Sequence, residues 1–267
     1  MTKTALITGA TSGIGKAFAE KLAREQYNLV LVSRDAEKLQ VQAKALSENH
    51  GINVSVISLD LAQVGAAQTV FDTVKDLGLS IQLLINNAGF NEAGHFLQTD
   101  IRKEVEMIHL HAIFTTEMMK RFLPDMVKRG YGRVCNLGST GSYMPCPHDA
   151  VYAATKAYIL SMSKAIGAEL KGSGVTVTTL CPGATKTEFS TKAGLENALL
   201  FRLFVMNPAQ VADIGYRAMM KGRSTVIAGA YNKLLVWSSK ITPAPILNAM
   251  TKKMLGGTHT TRKTIQA

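Results

Sequence analysis

Apolar positions along the chain fall into two alternating patterns. Short runs rich in β-branched and other apolar residues occupy 4–8, 28–33, 54–59, 83–86, 133–137, 175–180 and 224–228, and predict seven strands. Between them lie longer stretches with apolar residues three and four apart, for example 16–25, 36–49 and 99–128, which predict helices. Several strands are apolar at nearly every position, as in Leu29-Val30-Leu31-Val32 and Leu83-Leu84-Ile85. A strand packed on one face alternates, whereas a strand apolar throughout is covered on both. Repeated strand–helix–strand units with right-handed crossovers therefore predict an α/β fold: one doubly wound parallel sheet of about seven strands, with helices on both faces.

Two segments break this rhythm. Residues 185–206 interrupt the alternation after the sixth strand with a strongly apolar patch, Leu199 to Met206, and read as a lid. Residues 231–257 carry apolar groups beside lysines, and 258–267 are polar enough to fray. A chain of 267 residues can bury one large core, so a single domain over 1–257 is expected, with the C-terminal segment packed as a cap or against a partner subunit. Contact of that segment with a membrane surface is the sharper alternative, since Trp237 stands among lysines.

Composition narrows the class. Three cysteines at separate positions exclude a disulfide framework and zinc-ligand spacing, and no metal is expected. The net charge of +11 is scattered rather than clustered, which suits anionic small ligands better than nucleic acid. No run of eighteen apolar residues is present, and the N-terminus leads straight into an apolar strand, so a cytoplasmic location is expected.

The chemistry-bearing residues follow strand ends. Thr8-Gly9-Ala10-Thr11-Ser12-Gly13-Ile14-Gly15 succeeds the first strand. Glycines let backbone N–H groups approach a phosphate, and the next helix N-terminus favours negative charge. The second strand ends Ser33-Arg34-Asp35, where a small residue and a guanidinium suit a 2′-phosphate and the acid suits a helix cap. Farther on, Tyr152 and Lys156 stand four apart in a helical stretch, so phenol and ammonium share one face. A neighbouring cation would lower the phenol pKa and make it a usable proton donor and acceptor.

In order along the chain come the glycine pattern, Asn86-Asn87-Ala88-Gly89, Ser139, Tyr152-x-x-x-Lys156 and Pro182-Gly183. Together they resemble the short-chain dehydrogenase/reductase superfamily, in its branch of roughly 250 residues, over about residues 4–230. That resemblance implies a Rossmann-type fold and an NADP(H)-dependent oxidoreductase that moves a hydride between nicotinamide and a carbonyl or alcohol carbon. It implies a pyrophosphate loop of Gly9, Thr11, Ser12, Gly13, Ile14 and Gly15. Ser33 and Arg34 would read the 2′-phosphate, Asp60 and Leu61 would lie beside the adenine, and Asn87, Ala88 and Gly89 beside the ribose. Tyr152 would be the general acid/base, Lys156 would hold the nicotinamide ribose, and Ser139 would bond the substrate oxygen. Pro182, Gly183, Thr185 and Thr187 would face the carboxamide. A homodimer or homotetramer is expected.

The sequence departs from the family at one place. An asparagine of the long helix, which holds a water in a proton relay behind the lysine, is replaced by His111. Imidazole could substitute for it, run a slower relay, or be a packing residue placed there by a slip of alignment. An unperturbed imidazole titrates near pH ~6.5 and would add a limb to the pH profile. His109 reads as structural and His95 as a surface residue near the pocket mouth.

Phe90, Phe96, Tyr143, Met144, Leu195, Leu199, Phe201 and Phe204 would make an apolar substrate wall. They point to a medium or large carbonyl compound or secondary alcohol, with steroid-like, acyl and prenyl skeletons open. Two other readings use the same fold without turnover: an NADP(H)-sensing regulator and a membrane-associated binding protein. The first needs only the cofactor loop and the second rests only on the C-terminal segment.

Overall fold

The computed structural model describes residues 3–189 and 205–255, apart from the side chain of Leu255. Seven parallel strands form one sheet: β1 (Thr4–Thr8), β2 (Asn28–Ser33), β3 (Val54–Ser58), β4 (Leu83–Asn86), β5 (Gly132–Leu137), β6 (Val175–Cys181) and β7 (Thr225–Ile227). Their order is β3-β2-β1-β4-β5-β6-β7. The helices are α1 (Gly13–Arg24), α2 (Ala36–His50), α3 (Ala66–Asp76), α4 (Ile101–Ile108), α5 (Thr115–Lys128), α6 (Ala150–Glu169), α7 (Pro208–Met220), α8 (Ala230–Ser239) and α9 (Ala244–Leu255).

The apolar strands account for both layers. Ala5, Ile7, Leu29, Leu31, Leu83 and Ile85 point to one face, where they meet Phe18 and Leu22 of α1 and Val211 of α7. Their chain neighbours Leu6, Val30, Val32 and Leu84 point to the other and pack with Phe114, Met118 and Phe122. Successive side chains alternate across a strand, so helices on both faces require apolar residues at every position.

Strand order reverses between β1 and β4, which pair through Ala5–Leu83, Leu6–Leu84 and Ile7–Ile85. Connections leave these two strands in opposite directions and open a crevice at their carboxyl ends, the usual ligand position in such sheets. The predicted helix over 99–128 is interrupted at this level. Residues His109–Phe114 form a π-helical turn between α4 and α5. A π turn takes up one extra residue and is found often at functional sites.

The C-terminal helices close the crevice from one side. Val236 and Leu247 pack on Met144, with Tyr143, Cys146 and Leu235 around them. Leu234 and Trp237 of α8 face outward and are exposed. No described helix is long and apolar enough to cross a membrane.

Candidate active site

A cavity of about 350 Å³ occupies the crevice. At one end it is floored by the turn between β1 and α1. Gly9 sits at φ +65°, and a Cβ there would stand 2.9 Å from Cα of Ala88. Gly15 does not line the cavity; it lies beneath, where a Cβ would overlap the Gly9 carbonyl oxygen and the Asn87 amide. Asn87 explains the tightness. Its Nδ2 donates to the carbonyls of Thr8 (2.9 Å) and Gly9 (3.1 Å), while the Thr8 hydroxyl receives the N–H groups of Asn87 and Ala88, both at 3.0 Å. The side chain of Asn87 thus braces the loop against β4, and Ala88 and Gly89 present backbone to the cavity.

Ser12 is the N-cap of α1, and its hydroxyl makes no capping hydrogen bond. Thr11, Ser12, Gly13 and Ile14 therefore face the cavity with the positive end of a helix dipole behind them. Close-packed backbone, unspent N–H groups and a dipole fit a dinucleotide pyrophosphate.

Beyond the loop, Ser33 and Arg34 line the cavity at the end of β2, and Ser33 Oγ lies 2.9 Å from Thr11 Oγ1. Asp35 is engaged elsewhere: it caps α2 by accepting from Lys38 N at 3.0 Å and pairs with Lys38 Nζ at 3.1 Å. Asp60 and Leu61 form the adjoining wall, with Asp60 Oδ1 accepting from Ala62 N at 3.1 Å.

At the other end stand Ser139, Tyr152 and Lys156, brought together by the end of β5 and the first turns of α6. Ser139 Oγ accepts from Gly141 N at 3.1 Å, which fixes its rotamer. Lys156 is buried; its Nζ donates to the Leu137 carbonyl at 2.9 Å and lies 5.5 Å from the centre of the Tyr152 ring. Burial lowers the lysine pKa to about 8. For Tyr152 the expected depression is not what the protein groups produce. Burial pushes the phenol above its ordinary range, the Asp149 carboxylate adds to the rise, and the Ser139 hydroxyl opposes it. The phenol is protonated at neutral pH, hence a proton donor.

Pro182, Gly183, Thr185 and Thr187 complete this wall. The Pro182 carbonyl accepts from Thr140 N at 2.9 Å, and Gly183 packs on the side chain of Asn232 from α8. Thr185 bridges to Met206, so both ends of the predicted lid are joined at its base. Leu195, Leu199, Phe201 and Phe204, offered as its apolar lining, lie outside the described residues, as does the 258–267 tail. Phe189, just before them, places its ring 5.7 Å from that of Tyr152. Phe90 and Met144 do line the cavity, whereas Phe96 is exposed and is not among the lining residues.

His111 sits behind this wall in the π turn, 1 % exposed. Its ring lies edge-on to Tyr152 at 5.8 Å and tilted against Phe90 at 6.4 Å. Nδ1 is 2.9 Å from Thr155 Oγ1, and that hydroxyl gives its one proton to the Tyr152 carbonyl at 2.8 Å. Thr155 must therefore accept from His111, which fixes the proton on Nδ1 and leaves a bare lone pair on Nε2. Nε2 has no hydrogen-bond partner among the described residues and presses on Gly89, where a Cβ would stand 2.6 Å away. Burial, with the Lys156 charge adding to it, holds the imidazole well below its ordinary pKa. An imidazole so depressed gives no reason to expect the neutral-pH limb of an unperturbed histidine. A buried neutral histidine stabilises the fold fully above the unfolded value of 6.5, and that contribution is lost as pH falls toward the folded value. Denaturant unfolding of His111→Asn should accordingly lose less stability than wild type below neutrality, with slopes differing by up to about 1.4 kcal/mol per pH unit. Parallel acid profiles would show that His111 is not held neutral.

Two polar residues at the site escape sequence reasoning. Asn91 and Asp149 are buried and line the same cavity near Tyr152. An acid three residues before the tyrosine reads as a helix cap; only the fold shows that it does not cap. Leu235, Thr251 and Met254 from α8 and α9 also reach the cavity, from a segment whose sequence shows only apolar and basic composition.

A family model described as short chain dehydrogenase matches residues 3–198. The 7beta-hydroxysteroid dehydrogenase of Collinsella aerofaciens is 32% identical over 230 residues, covering 85% of this chain and 86% of that one. The very-long-chain 3-oxoacyl-CoA reductase of Anas platyrhynchos is 32% identical over 192 residues, 70% of this chain but only 61% of its own length. Among solved structures, a short-chain dehydrogenase from Sphingobium yanoikuyae in complex with NADPH superposes with a TM-score of 0.81 and 28% identity, covering 99% of this chain and 100% of that one.

Proposed function

The chain belongs to the short-chain dehydrogenase/reductase family of oxidoreductases, and from that premise we propose that it reduces apolar ketones with NADP(H). The observation that carries this reading is the convergence of Ser139, Tyr152 and Lys156 on one wall of a cavity whose far end is the glycine turn and Arg34. NADPH, held by the glycine turn, Arg34 and Lys156, would supply the hydride when bound. The protein's own groups do the rest. Ser139 Oγ offers a hydrogen bond to the ketone oxygen, and Tyr152 Oη delivers the proton as negative charge develops there. A phenol held protonated by burial keeps that proton until the oxyanion appears. The Lys156 ammonium, anchored by the Leu137 carbonyl, is placed to steady the cofactor ribose and to stabilise the phenolate left behind. His111 is a positioning residue, whose bond to Thr155 fixes the backbone carbonyl of Tyr152.

Phe90, Met144, Phe189, Leu235 and Met254 give the substrate end an apolar character, which suits a bulky ketone. The names of the Collinsella and Anas relatives, a hydroxysteroid dehydrogenase and an oxoacyl-CoA reductase, support substrates of that kind. NADP(H) rather than NAD(H) is supported by the exposed Arg34 guanidinium at the end of β2, by the engagement of Asp35 with Lys38, and by the NADPH held in the Sphingobium structure. Arg34→Asp should weaken NADPH by roughly ten- to a hundredfold and leave NADH almost unchanged. Titration of both cofactors into both proteins checks this; equal wild-type affinities would remove Arg34 from the role. The activity itself is tested by following NADPH consumption with a panel of bulky ketones, and no turnover with any of them would defeat the reading.

A further inference from the structure

The net charge is less evenly spread than the lysines and arginines that make it. Basic residues run the length of the chain, but the acids that balance them stop at Asp213. Residues 214–267 carry nine lysines and arginines and no aspartate or glutamate. The first 213 residues hold 21 basic and 19 acidic side chains and are nearly neutral. Almost all of the +11 therefore belongs to one segment, whose described residues from 230 onward form α8 and α9 and the turn between them.

The inner and outer faces of these helices differ in character. Inward, Val236 and Leu247 pack on Met144, and Leu235, Thr251 and Met254 wall the cavity. Outward, Leu234 and Trp237 of α8 follow one another at helical spacing, with Ile241 just past the helix end, and Ile246 and Met250 do the same on α9. All five are exposed, Trp237 by 59%. Single exposed apolar side chains are ordinary, but five large ones within seventeen residues make a patch that calls for a partner. Lys233 and Lys240 flank Trp237 in the sequence, and Lys252 and Lys253 follow Met250. All four lysines are exposed, and none is in an ion pair among the described residues.

Charge decides what covers the patch. In a symmetric pair, a second copy of the chain would set these lysines against their own counterparts, with no carboxylate between them. The phosphates of a nucleic acid would meet the lysines but offer nothing to Leu234, Ile241 or Ile246. An anionic bilayer answers both: its headgroups neutralise the ammonium groups while apolar side chains enter the acyl boundary, and tryptophan suits the level between. The exposed stripe on α4, Ile101, Val105 and Ile108, differs, since Asp100, Glu106, Arg102 and Lys103 stand beside it and give no net sign. We propose that the outward faces of α8 and α9 dock on an anionic lipid surface, with Trp237 in the contact. The contact is peripheral, since neither helix is long and apolar enough to cross a membrane. Docking does not depend on the carbonyl-reduction reading. Where that reading holds, the cavity wall of Leu235 and Met254 stands one helix away from the surface in which apolar ketones dissolve.

Trp237 is the chain's one tryptophan, so its fluorescence reports on this patch alone. The full chain is mixed, at about 0.1 M salt, with vesicles of phosphatidylcholine and phosphatidylglycerol in equal parts, or of phosphatidylcholine alone. The anionic vesicles should shift Trp237 emission to the blue, and brominated acyl chains in them should quench it; the neutral vesicles should do neither. Sedimentation with the anionic vesicles then reads the variants. Lys252→Gln with Lys253→Gln should weaken binding roughly 25-fold, about fivefold for each lysine near an anionic surface. Lys44→Gln with Lys75→Gln, an equal loss of charge on α2 and α3, should change it less than about twofold. Leu234→Gln and Trp237→Gln should each weaken it about tenfold. Sedimentation without a blue shift or quenching means docking by another face, and equal weakening by the two lysine pairs means unspecific attraction of a basic protein; either overturns the proposal. It is overturned as well if the anionic vesicles are not bound, whether Trp237→Gln then splits an oligomer in solution, which gives the patch to a second copy, or the emission shifts with duplex DNA instead.

Discussion

Replacing Tyr152 with phenylalanine is expected to lower kcat for any ketone substrate by about 10²–10⁴-fold, the usual contribution of a positioned proton donor. The ring is retained, and with it the contacts to His111 and Phe189, so packing around the site should change little. Affinity for NADPH should stay near that of the wild type, since the phenol hydroxyl serves the substrate oxygen and not the pyrophosphate loop. The check is steady-state turnover beside a cofactor titration of the same preparation. A variant that keeps more than about a tenth of wild-type kcat would contradict general-acid transfer from Tyr152.

The second large effect is steric. Gly15→Ala would drive a methyl group into the Gly9 carbonyl and the Asn87 amide, both backbone-braced and unable to yield. Overpacking of this kind costs about 1–3 kcal/mol, and the strain falls on the turn that holds the cofactor. Cofactor binding should weaken sharply together with a lower midpoint of unfolding. Gly167→Ala in α6 is the control. A Cβ there meets its nearest neighbour at 3.7 Å, an ordinary contact, and alanine favours a helix over glycine by about 1 kcal/mol. Calorimetry should therefore show the two substitutions moving stability in opposite directions. Equal tolerance of both would mean that the β1–α1 turn has more room than its geometry allows.

Much of this site is legible in the chain because it lies at strand ends. The strand positions read from apolar runs match the observed strands to within one residue, since double-sided burial leaves an unmistakable local trace at Leu29–Val32 and Leu83–Ile85. Glycines packed against a turn, and a Tyr and Lys one helical turn apart, are likewise local. The π turn at His109–Phe114 is not, because one extra residue leaves the apolar spacing of a long helix almost intact. Asp149 is hidden for another reason. Its sequence position suits a cap, yet it makes no capping bond, and the turn at His148 before it is held by His95 and Gly94, which come together only in the folded chain. The pKa values of Tyr152 and His111 follow from burial, and a spacing of four residues says nothing of burial.

The most direct test of ketone reduction by this cavity follows the hydride itself. Wild-type protein is mixed with NADPH deuterated at the transferable nicotinamide position and with a bulky ketone that it reduces. The product alcohol should carry one deuterium on its carbinol carbon, and the same experiment with unlabelled NADPH in heavy water should place none there. Tyr152→Phe should yield little labelled alcohol in the same time. An alcohol whose carbinol hydrogen comes from solvent, or NADPH that binds tightly and is never oxidised by any ketone, would contradict the account.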